Sequence, residues 1–248
     1  MSIRRRELLG VAGGLILGGI GAWAAQRYLL PPTEQPPEYE SAVLCPVAVG
    51  RNLNPDEALE RLKAGNRRFL EGRTQYRSGF NVPPHVLARG YCPFAVVVCC
   101  SDARIASEIL FDERVSELFV VRQAAHVLDE GARMSIEFAV NYLDVQLVLV
   151  LGHSGCKTLE AVLAADAPGA NPPAYLDRLR TELNTVAKEV AHQQGEKLEN
   201  AVAANVRYTV RQLRGSLNLQ PQQREGRLRI QGARYNLPPG EIEFFDVP

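Results

Sequence analysis

Phe94-Ala-Val-Val-Val-Cys-Cys100, running on into Ser101-Asp102-Ala103-Arg104, is the stretch whose reading decides the fold, and Val148-Leu-Val-Leu-Gly152-His153-Ser154-Gly155-Cys156 is its counterpart. Each opens with an unbroken apolar run rich in β-branched residues. That is the pattern of a strand covered on both faces, as in a parallel sheet with helices on either side. Each ends in residues able to bind metal: Cys100 and Asp102 in the first, His153 and Cys156 in the second. Ligands in such sheets bind at the carboxyl ends of strands. If the two strands are neighbours, their tips form one site.

The intervening and following sequence supplies the rest of an α/β fold. Residues 105–111 read as a short helix, Leu118-Phe-Val-Val-Arg122 as a second buried strand, and 131–143 as a helix with Met134, Phe138 and Leu143 on one stripe. The third strand spans 145–151. Strand, helix, strand, helix, strand predicts a parallel-centred β-sheet flanked by helices and joined by right-handed crossovers. Helical patterns continue over 156–165, 173–192 and 198–213. The C-terminal strand pair is predicted at 228–237 and 241–245, with Pro238-Pro239-Gly240 as the turn.

Upstream, Asn54-Pro55-Asp56-Glu57 is a helix start: Asn caps, Pro suits the first helical position, and Glu57 completes a capping box. Leu59, Leu62, Phe69 and Leu70 form the apolar face of this helix, which runs to about residue 72. Residues 73–92 are polar, contain Pro83-Pro84, and read as a surface connection.

Composition bounds the function. The 248 residues are 46% hydrophobic and 23% charged, enough for one globular domain at 54–248 with an appendage before it. Lys and Arg together number 28 and so do Asp and Glu, so no broad basic field exists to hold nucleic acid. The five cysteines (45, 92, 99, 100, 156) are odd in number and lack small-scaffold spacing, which argues against a disulfide framework.

The appendage begins Arg4-Arg5-Arg6-Glu7-Leu8-Leu9-Gly10 and continues as an uncharged run over 8–25 that contains six Gly. It resembles a twin-arginine export signal. As a helix the run would reach about 27 Å, marginal against a hydrocarbon core of roughly 30 Å. Ala22-Trp23-Ala24 offers a small-x-small cleavage site, so residues 1–30 are an export signal if cut there and a membrane anchor through 8–25 if not. Residues 31–53 form a Pro-rich linker. The expected destination is a periplasm, a thylakoid lumen, or the exported side of a membrane.

Residues two apart in a strand share a face, so Cys100, Asp102 and, if extended geometry persists, Arg104 point one way and Cys99 the other, into the core. Taken singly, Cys100 and Cys156 read as buried thiols, Asp102 as a cap and His153 as a loop residue. Their coincidence at two strand ends points instead to a soft S, N, S ligand set that suits zinc. Three protein ligands leave a fourth position open, the catalytic pattern. Asp102 closes that position if it reaches the metal, and leaves it to water if Arg104 holds it in a charge-assisted pair. Gly152-His153-Ser154-Gly155 is not a nucleophile elbow, because Cys156 stands where the second Gly would be needed.

At this point the residues resemble the β-class carbonic anhydrases. The family's Cys-Ser-Asp-Ser-Arg is similar to Cys100-Ser101-Asp102-Ala103-Arg104, its Phe-Val-Val-Arg to residues 119–122, its Ser-Ile-Glu-Tyr-Ala-Val to 135–140, and its Gly-His-Ser-x-Cys to 152–156. Weaker likeness extends the match over about 54–246. The resemblance implies zinc on Cys100, His153 and Cys156, an Asp-Arg dyad at Asp102 and Arg104, and reversible hydration of CO2 to bicarbonate and a proton. It also implies a homodimer or multiple of dimers, with the helix at 54–72 lying across the partner. The chain departs from the family pattern at Ala125 and His126, which replace Gly and Asn, and at Lys157, which replaces Gly. These three are candidate pocket-modulating residues: Lys157 as an obstruction or an attractor of bicarbonate, His126 as a proton relay or a structural His. The rival expectations are a zinc-containing binding or assembly protein with the same fold, and hydrolysis of another small linear molecule.

Overall fold

The computed structural model describes residues 53–75, 84–88, 90–167 and 169–247. The expected signal or anchor over 1–30 and all but the last residue of the linker lie outside them. No helix among the described residues is long and apolar enough to cross a membrane.

Five strands form one sheet: β1 (Ala95–Cys100), β2 (Leu118–Gln123), β3 (Leu147–His153), β4 (Arg229–Tyr235) and β5 (Ile242–Phe245), in the order β2-β1-β3-β4-β5. The first four are mutually parallel and β5 runs antiparallel to β4. β1 has β2 on one side and β3 on the other, so the connections leave it in opposite directions. The carboxyl ends of β1 and β3 therefore flank a switch-point crevice.

The alternation of side chains along β1 and β3 feeds two cores. On one face Val97, Cys99, Leu149 and Leu151 pack with Ala58, Leu59 and Leu62 of α1 (Pro55–Leu70) and with Leu110 and Phe111 at α3 (Ser107–Leu110), α2 being the short turn Pro84–Leu87. On the other face Val96, Val98, Val148 and Val150 meet α4 (Glu130–Asn141) and α7 (Lys197–Arg214). Every residue of β1 and β3 is buried, which is why both runs lack polar alternation. The layer beyond the site is completed by α5 (Lys157–Ala165) and α6 (Ala174–Val190), and α8 (Gln220–Arg224) leads into β4.

The capping box at α1 forms as the sequence predicts. Asn54 Oδ1 accepts from the N–H groups of Asp56 and Glu57, and Glu57 accepts from Asn54 N–H, a cap contributing about 1 kcal/mol. The apolar face of this helix is buried on the chain's own sheet through Ala58, Leu59 and Leu62. Arg61 pairs with Glu113 and Glu117, and Arg68 with Asp112, fastening α1 to the loop before β2. Leu70, placed on the buried face by its spacing, is 41% exposed because it lies in the last turn, beyond the sheet contacts.

Two further readings need correction. Met134 and Phe138 face solvent, and α4 packs through Ala132, Ile136, Ala139 and Val140 instead. Both stripes have helical spacing, so periodicity alone did not choose between them. The connection at 73–92 carries the turn α2, and α8 has no apolar stripe that would have announced it.

Candidate metal centre

The strand register brings the two tips together. Cys99 of β1 pairs with Leu151 of β3; β1 ends one residue later at Cys100, and β3 two residues later at His153. Ligand atoms of Cys100, His153 and Cys156 lie within 4.8 Å of one another, and all three residues are buried. Cys92 is disulfide-bonded, so the free thiols among the described residues are Cys99, Cys100 and Cys156. Cys99 is not part of the group: its sulfur lies on the opposite face against Ser107 Oγ, and burial pushes its thiol up to about 11.

The β3 tip is shaped by two glycines. A Cβ on Gly152 would stand 2.7 Å from a Val206 methyl and 3.0 Å from one of Val202, so α7 approaches the strand too closely for a side chain. Gly155 has φ +60°, a left-handed conformation that turns the chain so that Cys156 takes the N-cap position of α5. Ser154 fixes the turn to the end of β4: its N–H donates to Tyr235 O, and its Oγ accepts from Leu237 N–H at 2.7 Å.

His153 is oriented for a ligand. Its Nδ1 lies 3.0 Å from Ser154 O. A carbonyl only accepts, so Nδ1 carries the proton and Nε2 keeps its lone pair. Nε2 is buried with no hydrogen-bond partner. A fixed tautomer with the other nitrogen bare is how a metal-binding imidazole is prepared. A hydrogen bond from Cys156 lowers the Cys100 thiol far below its ordinary range, with backbone N–H groups of Asp102 and Ala125 assisting. The same hydrogen bond, and then burial, push Cys156 up, while the amides of Thr158 and Leu159 at the start of α5 oppose the rise. Two sulfurs and one bare imidazole nitrogen fit zinc.

Extended geometry stops at Cys100. A turn follows, closed by Ile105 N–H onto Asp102 O at 3.0 Å, and this turn brings Arg104 back onto Asp102. The guanidinium grips both carboxylate oxygens, Nε to Oδ1 at 2.9 Å and NH2 to Oδ2 at 2.7 Å, and Arg104 N–H adds a third bond to Oδ1 at 3.0 Å. Asp102 is thus Arg104's partner, and its nearer oxygen stays 4.0 Å from His153 Nε2. The Arg104 hydrogen bond holds the Asp102 carboxyl well below the usual carboxylate range.

The three departures fall in different places. Ala125 is fully buried beside Cys100 and Cys156. His126 is buried behind it, and desolvation lowers its pKa to about 4, which keeps it neutral. Lys157 stands at the start of α5 with its ammonium on Glu160 and its side chain 80% exposed, so it lies at the helix surface and not over the buried trio.

Sequence reasoning missed the residues that hold these loops. Arg122 donates from Nε to Cys100 O at 3.2 Å and from NH2 to Asp102 O at 2.6 Å, tying β2 to the end of β1. Glu199 on α7 accepts from Gly155 N–H at 3.2 Å and pairs with Arg234 at 3.5 Å, while Arg104 donates to Gly155 O at 3.2 Å. Asn205, also on α7, bonds Ala125 O and His126 Nε2. Only Arg122 carried a signal, through its place in the strand motif.

Residues 95–242 match the model of a protein family described as carbonic anhydrase. A carbonic anhydrase of Mycolicibacterium smegmatis is 36% identical over 194 residues, covering 77% of this chain and 94% of that protein. The chain belongs to the β-class carbonic anhydrase family. Carbonic anhydrase 2 of Mycobacterium tuberculosis is 45% identical over 125 residues, a match covering 50% of this chain and 60% of that relative's length. Among solved structures, the β-carbonic anhydrase CcaA aligns with a TM-score of 0.60 at 25% identity, over 76% of this chain and 87% of that one. The family match stops short of α1, so the pairing of α1 with the loop before β2 is a property read from this chain's own structure.

Proposed function

We propose that this chain catalyses reversible hydration of CO2 to bicarbonate and a proton at a zinc centre formed by Cys100, His153 and Cys156. The observation that carries the reading is the bare, buried Nε2 of His153 facing two sulfurs, with Asp102 held off the group by Arg104. Zinc in that place supplies a Lewis acid that makes water a nucleophile at neutral pH. Asp102, kept ionised by Arg104, offers an acceptor for a hydroxyl proton beside the ligand set and so orients the nucleophile.

The test is stopped-flow CO2 hydration by zinc-quantified protein from pH 6 to 9. Activity proportional to zinc content is expected. Asp102→Asn should lower kcat/KM by about 10²–10⁴-fold, the range for a lost proton-handling group. Stoichiometric zinc without activity in reducing and non-reducing buffer would instead favour the binding-protein reading.

A homodimer or multiple of dimers is part of the proposal, supported by the exposed Met134, Phe138 and Tyr142 along α4. Sedimentation should give at least twice the chain mass, and a monomer at working concentration would remove this part. We also place the protein on the exported side of a membrane, on the strength of the Arg4-Arg5-Arg6 leader. Export that persists after these arginines are changed to lysine would contradict the twin-arginine route.

A further inference from the structure

The turn after β2 adopts a conformation its residues disfavour. Ala125 (φ 49°, ψ 30°) and His126 (φ 45°) stand in succession in the left-handed region, where a Cβ costs about 1–2 kcal/mol per residue. Such backbone persists only where the surroundings hold it. Asn205 is the holder. It is 1% exposed, and its Nδ2 donates to Ala125 O at 2.7 Å and to His126 Nε2 at 3.0 Å. Both amide protons of one side chain on α7 are thus spent on two consecutive strained residues. On its other side Ala125, fully buried, packs against Cys100 and Cys156.

We infer that Asn205 is a positioning residue of the metal centre, which holds the strained Ala125–His126 turn packed against the Cys100 and Cys156 sulfurs. A rigid turn packed against ligating sulfurs fixes where they point, as outer partners of metal ligands do. Asn205 touches neither metal nor substrate. The inference rests on the zinc reading above and adds to it a residue that nothing in the ligand motifs announces.

Removing Asn205 leaves Ala125 O and His126 Nε2 unpaired in the interior, so some stability is lost in any account. The test therefore reads the metal. In the full chain, Asn205→Leu should bind zinc about 10–100-fold more weakly in competition with a chromophoric chelator, and should shift the thiolate-to-cobalt charge-transfer band of the cobalt-substituted protein. Adding Ala125→Gly to Asn205→Leu should restore most of the affinity and return the band, because glycine reaches the left-handed region unaided. Wild-type affinity and an unmoved band in Asn205→Leu would overturn the inference, and so would a loss that Ala125→Gly does not recover. If Asn205→Leu alone does not fold, the double variant decides: folding with near wild-type affinity supports the role, and failure to fold overturns it. A wild-type chain that takes up no zinc would sink the zinc reading itself, a result distinct from any of these.

Discussion

The ends of β3 and β2 deliver backbone to the same buried cluster, and both must enter the left-handed region to do so. At β3 the residue is Gly155, at φ +60° with nothing within 4 Å of a built Cβ. At β2 the residues are Ala125 and His126, at φ 49° and 45°. The first turn meets its demand through residue choice and needs only light fastening by Ser154, Glu199 and Arg104. The second meets the same demand against residue preference and relies on a fully buried side chain from a helix 80 residues away. A given geometry around a metal is thus reached by local permissiveness in one loop and by tertiary constraint in the other.

The largest way to sharpen this contrast is through pH. His126 is buried and its folded pKa is about 4, below the 6.5 of a free imidazole. The unfolded chain therefore binds more protons between these values, and stability rises with pH. The contribution is complete above about pH 6.5 and is lost as pH falls toward 4, a span of roughly 3 kcal/mol. Denaturant titrations of wild type and His126→Asn should diverge over that window, and parallel curves would mean His126 does not titrate with folding. Next in size, Gly152→Ala puts a methyl 2.7 Å from Val206 and should cost about 1–3 kcal/mol as α7 shifts. An unchanged midpoint would break the claim that α7 is the close-packed back wall of the site. Smallest are two reciprocal changes. Gly155→Ala should destabilise by about 1–2 kcal/mol through backbone strain alone, and Ala125→Gly should stabilise by roughly 0.5–1 kcal/mol, strain relief less the entropy of glycine. If the two shift midpoints in the same direction, the comparison fails.

Much of this was legible in the chain. The continuous apolar runs of β1 and β3 reveal strands buried on both faces, and residues placed at their carboxyl ends must converge if the strands pair. The His-x-x-Cys spacing survives any uncertainty about register, because both residues belong to one turn. What was not legible depends on distance or on choice between equals. Asn205 and Glu199 reach the site across 80 and 44 residues of chain, and nothing in α7 distinguishes them from other polar residues on an amphipathic helix. The Asp102–Arg104 pair was anticipated, but through strand alternation; a turn at 102–105 makes it instead, and a short turn leaves no periodic trace. On α4, Met134 and Phe138 had the bulk of core residues, yet Ala132, Ile136 and Ala139 face the sheet.

The metal shell is the deciding feature of the site, and zinc X-ray absorption on the full-length protein reads it directly. The prediction is two sulfurs at about 2.3 Å and two lighter ligands at about 2.0–2.1 Å, one of them an imidazole lost in His153→Ala. A shell with no more than one sulfur, or a spectrum unchanged by His153→Ala, would contradict a zinc centre built from the tips of β1 and β3.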